Sequence, residues 1–136
     1  TWDCNQVVTE LQAGSYVLMD GDYSKLDLPF KEGLLLLTTV ISTSMTDYAV
    51  LDGGLKALSV DSGNPKLFGQ GEVMFCSDEH TTVTNASWSV GQRAGLRPSH
   101  IDPTIAKHES IYLVDEIEEG LDSEVIDILS IDLRGW

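Results

Sequence analysis

Short apolar and β-branched segments, separated by turn signals, recur along most of this sequence and constrain its fold more than any other feature. Their length and their content of Val, Ile, Thr and Tyr favour strands over helices. The segments predicted to be strands cover residues 33–42, 48–51, 55–60, 82–84, 87–90, 111–114 and 125–133. The first of them is a continuous apolar and β-branched run, which predicts a strand buried on both faces, with a buried helix as the alternative. The last alternates apolar and polar residues, which predicts a half-buried strand that pairs with 111–114.

Turn chemistry indicates how these strands connect. Asp52-Gly53-Gly54 separates two of them and is typical of a tight hairpin turn. Residues 14–20 predict a glycine turn that leads into a further strand. Helical periodicity is weak, and only residues 2–12 and 103–108 are expected to hold short helices. The pattern therefore predicts a mainly β fold, a small antiparallel barrel or sandwich.

The segment 98–104 places an imidazole and a carboxylate two residues apart, in His100 and Asp102. Residues i and i+2 of an extended backbone point to the same side, and Pro98 and Pro103 favour extended geometry in the residues before them. An imidazole and a hard oxygen suit a divalent metal such as Mn, Mg, Co or Zn. Two protein ligands leave positions open for water or substrate, as in a catalytic site. The alternative is a hydrogen-bonded pair in a surface loop.

Composition limits the partners. The 136 residues suffice for one domain with a core, and a net charge of −14 disfavours nucleic acid and anionic membrane surfaces. No apolar run has the length of a membrane span. The two cysteines, Cys4 and Cys76, do not form a disulfide framework, and the first residues do not read as a signal peptide, so we expect a cytoplasmic protein with free thiols.

Five segments in order, over nearly the whole chain, carry a resemblance to a known family: residues 10–17, 49–63, 77–80, 98–104 and 131–136. They resemble the C-terminal part of the D-threonine aldolase and D-serine dehydratase-like family. These are pyridoxal phosphate (PLP) enzymes of fold type III, related to alanine racemase. The resemblance implies a metal at His100, with a second ligand that is cysteine in D-serine dehydratases and aspartate in D-threonine and 3-hydroxyaspartate aldolases. Asp102 therefore favours the aldolase branch and a harder ion such as Mn or Mg.

The resemblance also implies a cofactor contact and a division of the chain. Gly14-Ser15-Tyr16 resembles the end of the family's PLP barrel, where backbone amides meet the cofactor phosphate; a plain strand-entry turn is the alternative. Family enzymes carry their Schiff-base lysine in an N-terminal (β/α)8 barrel, and no lysine here lies in a stretch like that segment. We therefore expect residues 1–24 to end a missing PLP barrel and residues 25–136 to form the metal-binding β domain. Such a chain supplies no catalytic residue and is inactive alone.

The resulting expectation is the metal-binding part of a PLP-dependent lyase that cleaves D-3-hydroxy amino acids to glycine and an aldehyde. The expected partners are the barrel portion of the same enzyme, that substrate and, in a homodimer, a second copy. Two alternatives stay open: a fragment of a D-serine or 3-hydroxyaspartate dehydratase, and a non-catalytic β domain that binds a metal or a partner. His80 is a third ligand, a group that supports the metal or substrate without binding the ion, or a hydrogen-bonding surface residue. His108 is expected not to be a ligand, and Asp61 is expected to form a turn.

Overall fold

The computed structural model describes residues 7, 9, 10, 12–44, 47–85, 87–117 and 121–134. Two short 3-10 turns, Ser15–Val17 and Tyr23–Lys25, precede the strands. The strands are β1 (Leu36–Thr43), β2 (Tyr48–Leu51), β3 (Lys66–Leu67), β4 (Glu72–Cys76), β5 (Thr81–Thr84), β6 (Arg93–Arg97), β7 (Ser110–Val114) and β8 (Val125–Ser130), and one helix, α1 (Ile101–Ile105), follows β6. No helix in the described ranges is long and apolar enough to cross a bilayer.

Six strands form one antiparallel sheet in the order β3-β6-β1-β2-β5-β4. The edge strands β3 and β4 also contact each other, so the sheet nearly closes into a barrel. β7 and β8 pair as a separate antiparallel ribbon, as the sequence predicts for residues 111–114 and 125–133. The mainly β fold class with a small antiparallel barrel is confirmed.

The core lies inside the six-stranded sheet. Its fully buried side chains come from β1, β2, β5, β6 and the turn after β2: Val40, Ala49, Leu51, Leu58, Val83, Ala94 and Leu96. Burial of these apolar groups stabilises the barrel, because each Val or Leu side chain removed from water contributes about 1.5–3 kcal/mol. β6 lies between β1 and β3, and the segment that follows it is therefore anchored to the core.

β1 is not buried on both faces, contrary to the expectation for residues 33–42. Thr38 and Val40 are buried, whereas Leu37 and Ile41 are 55% and 44% exposed. The reason is that a small barrel points alternate side chains of each strand inward and outward. β8 is likewise exposed along its whole length rather than half-buried.

The predicted hairpin around Asp52-Gly53-Gly54 is wrong. β2 pairs with β1 and β5, and residues 55–57 form a turn. The N–H groups of Leu55 and Lys56 donate to the carbonyl oxygens of Ser77 and Asp78, at 2.9 and 2.8 Å. A Cβ on Gly54 would overlap the Ser77 carbonyl oxygen and lie 2.7 Å from the Glu79 carbonyl carbon. Gly54 is therefore required because two backbone segments approach closely here, and not because the chain forms a tight hairpin turn.

We expect Gly54→Ala to destabilise the fold by about 1–3 kcal/mol, because the added methyl group must push residues 77–80 away. Urea unfolding measures this. Gly33→Ala is the matched control, since its Cβ would meet its nearest neighbour, the Val17 oxygen, at an ordinary 3.5 Å. Equal unfolding midpoints for Gly54→Ala and wild type would contradict this packing.

Two other predicted strands are absent. Residues 15–17 form a 3-10 turn where a strand is expected, and the described residues of 87–90 belong to no strand. The predicted strand at 82–84 is confirmed as β5. The helix predicted at 103–108 occurs earlier, at Ile101–Ile105, and most of the one predicted at 2–12 lies outside the described residues.

Candidate metal centre

His100 lies between the end of β6 and the first residue of α1, with an extended backbone (φ −135°, ψ 119°). The residues around it are held by side-chain hydrogen bonds. Ser99 is buried and its hydroxyl donates to the Gly63 carbonyl oxygen at 2.6 Å. The Thr104 hydroxyl donates to the His100 carbonyl oxygen at 2.8 Å. The imidazole therefore projects from a backbone that is fixed on both sides.

Asp102 lies in the first turn of α1, so the prediction of one extended segment from His100 to Asp102 is wrong. Pro103 is tolerated in that first turn because its missing N–H would have no partner within the helix. The two side chains nevertheless converge: His100 Nε2 lies 3.6 Å from Asp102 Oδ2. They meet across the start of a helix rather than along a strand.

The separation of these two atoms suits a shared metal ion. At 3.6 Å the pair is too long for a good hydrogen bond. Two donor atoms that bind one ion at about 2.1 Å lie roughly 3–3.5 Å apart, which a small side-chain rotation achieves. Asp102 is 88% exposed, so that rotation meets little resistance. The residues present therefore fit a divalent cation.

Asp61 contacts the other ring nitrogen of the histidine. Its Oδ2 lies 2.7 Å from His100 Nδ1, and its Oδ1 accepts a hydrogen bond from the Ser59 hydroxyl. These two bonds hold the pKa of Asp61 below its usual range, with Ser59 as the larger cause. The bond to Asp61 raises the pKa of His100 above its usual range. The sequence predicts only a turn for Asp61, and nothing local indicates a contact with a histidine 39 residues away.

The Asp61–His100 pair should make the stability of the metal-free chain depend on pH. The depressed Asp61 pKa contributes stability above the ordinary value of 3.8, and this is lost as pH falls through the folded pKa. The raised His100 pKa contributes stability below 6.5, and this is lost as pH rises through the folded pKa. The stability difference between wild type and Asp61→Asn is therefore expected to be largest between pH 3.8 and 6.5. Urea unfolding across that range checks this, and a pH-independent difference would refute it.

Asp20 attaches the segment before β1 to the start of α1, next to His100. Its Oδ1 accepts the Ile101 N–H at 2.6 Å, satisfying a donor that has no partner within the helix. Gly21 packs on the residues before His100, where an added Cβ would lie 3.3 Å from the Pro98 oxygen. Lys66 Nζ donates to the Gly21 carbonyl oxygen at 3.3 Å. Nothing in the sequence around Asp20 indicates this contact, because 81 residues separate Asp20 from its partner.

Carboxylates dominate the charge around the imidazole. Asp20, Asp61 and Asp102 each act on His100 and raise its pKa, and Asp22 lies close enough to interact with it electrostatically. A cluster of negative charges attracts a cation and opposes an anion. The negative charge around His100 and Asp102 therefore favours a bound cation, as their donor atoms do.

The other histidines do not complete a larger site. Across the part of the chain that the structure describes, no group of three or more His, Cys, Asp or Glu side chains is arranged to hold a metal. His108 Nε2 donates to the Ala57 carbonyl oxygen at 2.6 Å. His80 belongs to the turn at 77–80, where its carbonyl oxygen accepts the Ser77 N–H at 2.8 Å. A metal on His100 and Asp102 would take its remaining ligands from water, substrate or other protein.

Gly14-Ser15-Tyr16 opens the first 3-10 turn, and all three residues are exposed. The Tyr16 ring packs against Phe30 with centroids 5.5 Å apart. A Cβ on Gly14 would meet no atom within 4 Å, so the backbone there borders open space. Contact between these residues and a cofactor phosphate stays a prediction.

The nearly closed barrel has the fold of the C-terminal domain of D-threonine aldolase and of alanine racemase-like proteins. The solved structure of D-threonine aldolase from Filomicrobium marinum superimposes with a TM-score of 0.80 at 29% identity, covering 90% of this chain and 34% of that one. D-threo-3-hydroxyaspartate dehydratase from Delftia sp. HT23 shares the fold, with a TM-score of 0.59 at 18% identity over 77% of this chain and 33% of that one.

Sequence comparison defines the family. Residues 33–114 match the profile described as "Putative serine dehydratase domain", and the chain belongs to this family. D-threonine aldolase from Arthrobacter sp. is 37% identical over an alignment of 140 positions, which covers 96% of this chain and 35% of the relative. 3-Hydroxy-D-aspartate aldolase from Paracoccus denitrificans is 38% identical over an alignment of 116 positions, which covers 76% of this chain and 30% of the relative. The chain thus spans about a third of the length of these relatives.

Proposed function

We propose that this chain is the metal-binding C-terminal part of a PLP-dependent lyase that cleaves D-3-hydroxy amino acids to glycine and an aldehyde. The observation that carries the proposal is the pair of His100 Nε2 and Asp102 Oδ2, 3.6 Å apart, in a chain related over nearly its whole length to a D-threonine aldolase. An aspartate beside the histidine supplies the hard oxygen ligand that Mn or Mg prefers.

Each side chain has a role that follows from its position. His100 Nε2 and Asp102 Oδ2 would hold the ion, and Asp61 holds the opposite side of the imidazole. When bound, the metal lowers the pKa of a coordinated hydroxyl, and PLP supplies the electron sink for negative charge at Cα. The exposure of Asp102 leaves room for a substrate hydroxyl beside the pair. The acidic surroundings disfavour an approaching substrate carboxylate, so the carboxylate would be bound elsewhere.

The remaining part of the enzyme would cover the surface formed by the segment before β1. This segment presents apolar side chains to solvent: Tyr16, Val17, Tyr23, Leu26, Leu28 and Phe30. Two of these side chains, Tyr16 and Phe30, pack against each other, and exposed apolar groups that cluster in this way are typical of a contact with another protein segment. We propose that this surface contacts the lysine-bearing PLP barrel, with Gly14, Ser15 and Tyr16 near the cofactor phosphate. A second copy of the enzyme remains a further candidate partner.

A dehydratase is the second candidate, because the matched family profile is described as a serine dehydratase domain. The metal pair would then assist departure of hydroxide instead of carbon–carbon cleavage. Product analysis separates the two reactions when the enzyme that contains this chain acts on D-threonine. Glycine with acetaldehyde supports the aldolase, a keto acid with ammonia supports the dehydratase, and no turnover supports a non-catalytic metal-binding domain.

A further inference from the structure

We propose that Asp61 is a positioning residue that keeps the proton of neutral His100 on Nδ1 and so presents a bare Nε2 towards Asp102. The inference rests on the proposed metal site, and it concerns a residue on a different loop from both ligands. It assigns to Asp61 a role beyond the turn in which it lies.

The geometry identifies which ring nitrogen carries the hydrogen. Asp61 Oδ2 lies 2.7 Å from His100 Nδ1, and an ionised carboxylate can only accept a hydrogen bond. The hydrogen of a neutral imidazole must therefore lie on Nδ1. Nε2, the nitrogen that faces Asp102 Oδ2, then has a free lone pair. A metal requires that lone pair, and a carboxylate behind the ring makes the imidazole more basic.

Asp61 is itself held in place by a closed ring of hydrogen bonds. The Ser59 hydroxyl donates to Asp61 Oδ1, and the Ser59 N–H donates to Thr104 Oγ1 at 3.1 Å. The Thr104 hydroxyl in turn donates to the His100 carbonyl oxygen at 2.8 Å. The loop that carries Asp61 is thereby tied both to the backbone and to the ring of His100. Such double attachment fixes the orientation of the imidazole as well as its tautomer.

The tautomer can be measured without any metal. Long-range ¹H–¹⁵N spectra of the metal-free chain, at a pH above the pKa of His100, distinguish the protonated ring nitrogen from the bare one. We expect wild type to show Nδ1–H, and Asp61→Ala to show a population shifted to Nε2–H. Asp22→Ala is the matched control, because it removes a nearby exposed carboxylate that acts on His100 only through its charge. A loss of fold would change all ring signals and the thermal transition, which identifies it separately.

The second readout is the affinity for Mn²⁺ alone. Asp61→Ala is expected to weaken it about 10–100-fold, and Ser59→Ala less, because loss of a partner behind a ligating histidine has effects of this size. Asp122→Ala should stay near wild type, because Asp122 pairs with Arg93 on the surface and lies outside the proposed site. Retention of Nδ1–H in Asp61→Ala, or an unchanged Mn²⁺ affinity despite a changed tautomer, would overturn the proposal. If wild type binds no Mn²⁺ while the tautomer still shifts, the proposed metal site fails and the control of the imidazole by Asp61 stands.

Discussion

Replacement of His100 by alanine is expected to reduce the Mn²⁺ affinity of the chain by more than about 100-fold. The substitution removes the nitrogen ligand itself, and removal of a ligand should exceed the 10–100-fold effect of losing a residue behind it. Asp102 alone is one exposed carboxylate, which is a weak site for a divalent ion. Titration of Mn²⁺ followed by the electron paramagnetic resonance signal of the free ion measures the affinity directly.

The matched control for this change is His80→Ala. It removes a half-buried imidazole from the turn at 77–80 and leaves His100 and Asp102 in place. We expect its affinity to equal that of wild type. Equal affinities of wild type and His100→Ala would show that the bound ion lies elsewhere, and a loss in His80→Ala would restore His80 as a ligand.

The second large effect is expected in catalysis. In the proposed whole enzyme that contains this chain, Asp102→Ala should lower kcat/KM for D-threonine cleavage about 1,000-fold, because a metal contributes several kcal/mol to stabilising the developing alkoxide. Chelation of divalent ions in the wild-type enzyme should produce a loss of similar size. Aldehyde release measured over time gives the rate.

Asp122→Ala provides the comparison for this experiment. Asp122 pairs with Arg93 on the surface at 2.8 Å and belongs to no part of the proposed site, so its removal should leave the rate unchanged. If the wild-type rate resists chelation and Asp102→Ala has a normal rate, the metal takes no part in the reaction. If Asp102→Ala has a normal rate only after metal is added back, the metal is needed but Asp102 is not its ligand.

The parts of the fold that followed from sequence are those governed by local pattern. β1, β5 and the β7–β8 ribbon occur where β-branched residues cluster. The prediction of a hairpin at Asp52-Gly53-Gly54 was wrong because glycine is required there for a different reason. Gly54 permits contact with residues 77–80, and a local turn signal cannot be told from such a long-range packing requirement. The sequence likewise does not indicate which face of β1 is exposed, because apolar residues occupy both faces of the strand.

The site shows the same division between local and long-range information. The spacing of His100 and Asp102 predicted their proximity, although the backbone between them begins a helix instead of continuing a strand. Asp61 and Asp20 reach the site from other loops, at 39 and 81 residues from their partners. Asp61 lies where the sequence predicts a turn, and Asp20 ends the segment predicted as a glycine turn that leads into a strand. Only the folded chain shows that one faces the imidazole and the other accepts the first N–H of α1.

The most direct test of the central claim, a metal on His100 and Asp102, is an electron spin echo modulation spectrum of the chain loaded with Mn²⁺. Imidazole nitrogen bound to the ion modulates the echo at ¹⁴N frequencies. We predict this modulation in wild type and its disappearance in His100→Ala. Persistence of the same modulation in His100→Ala, or its absence in wild type, would contradict the assignment.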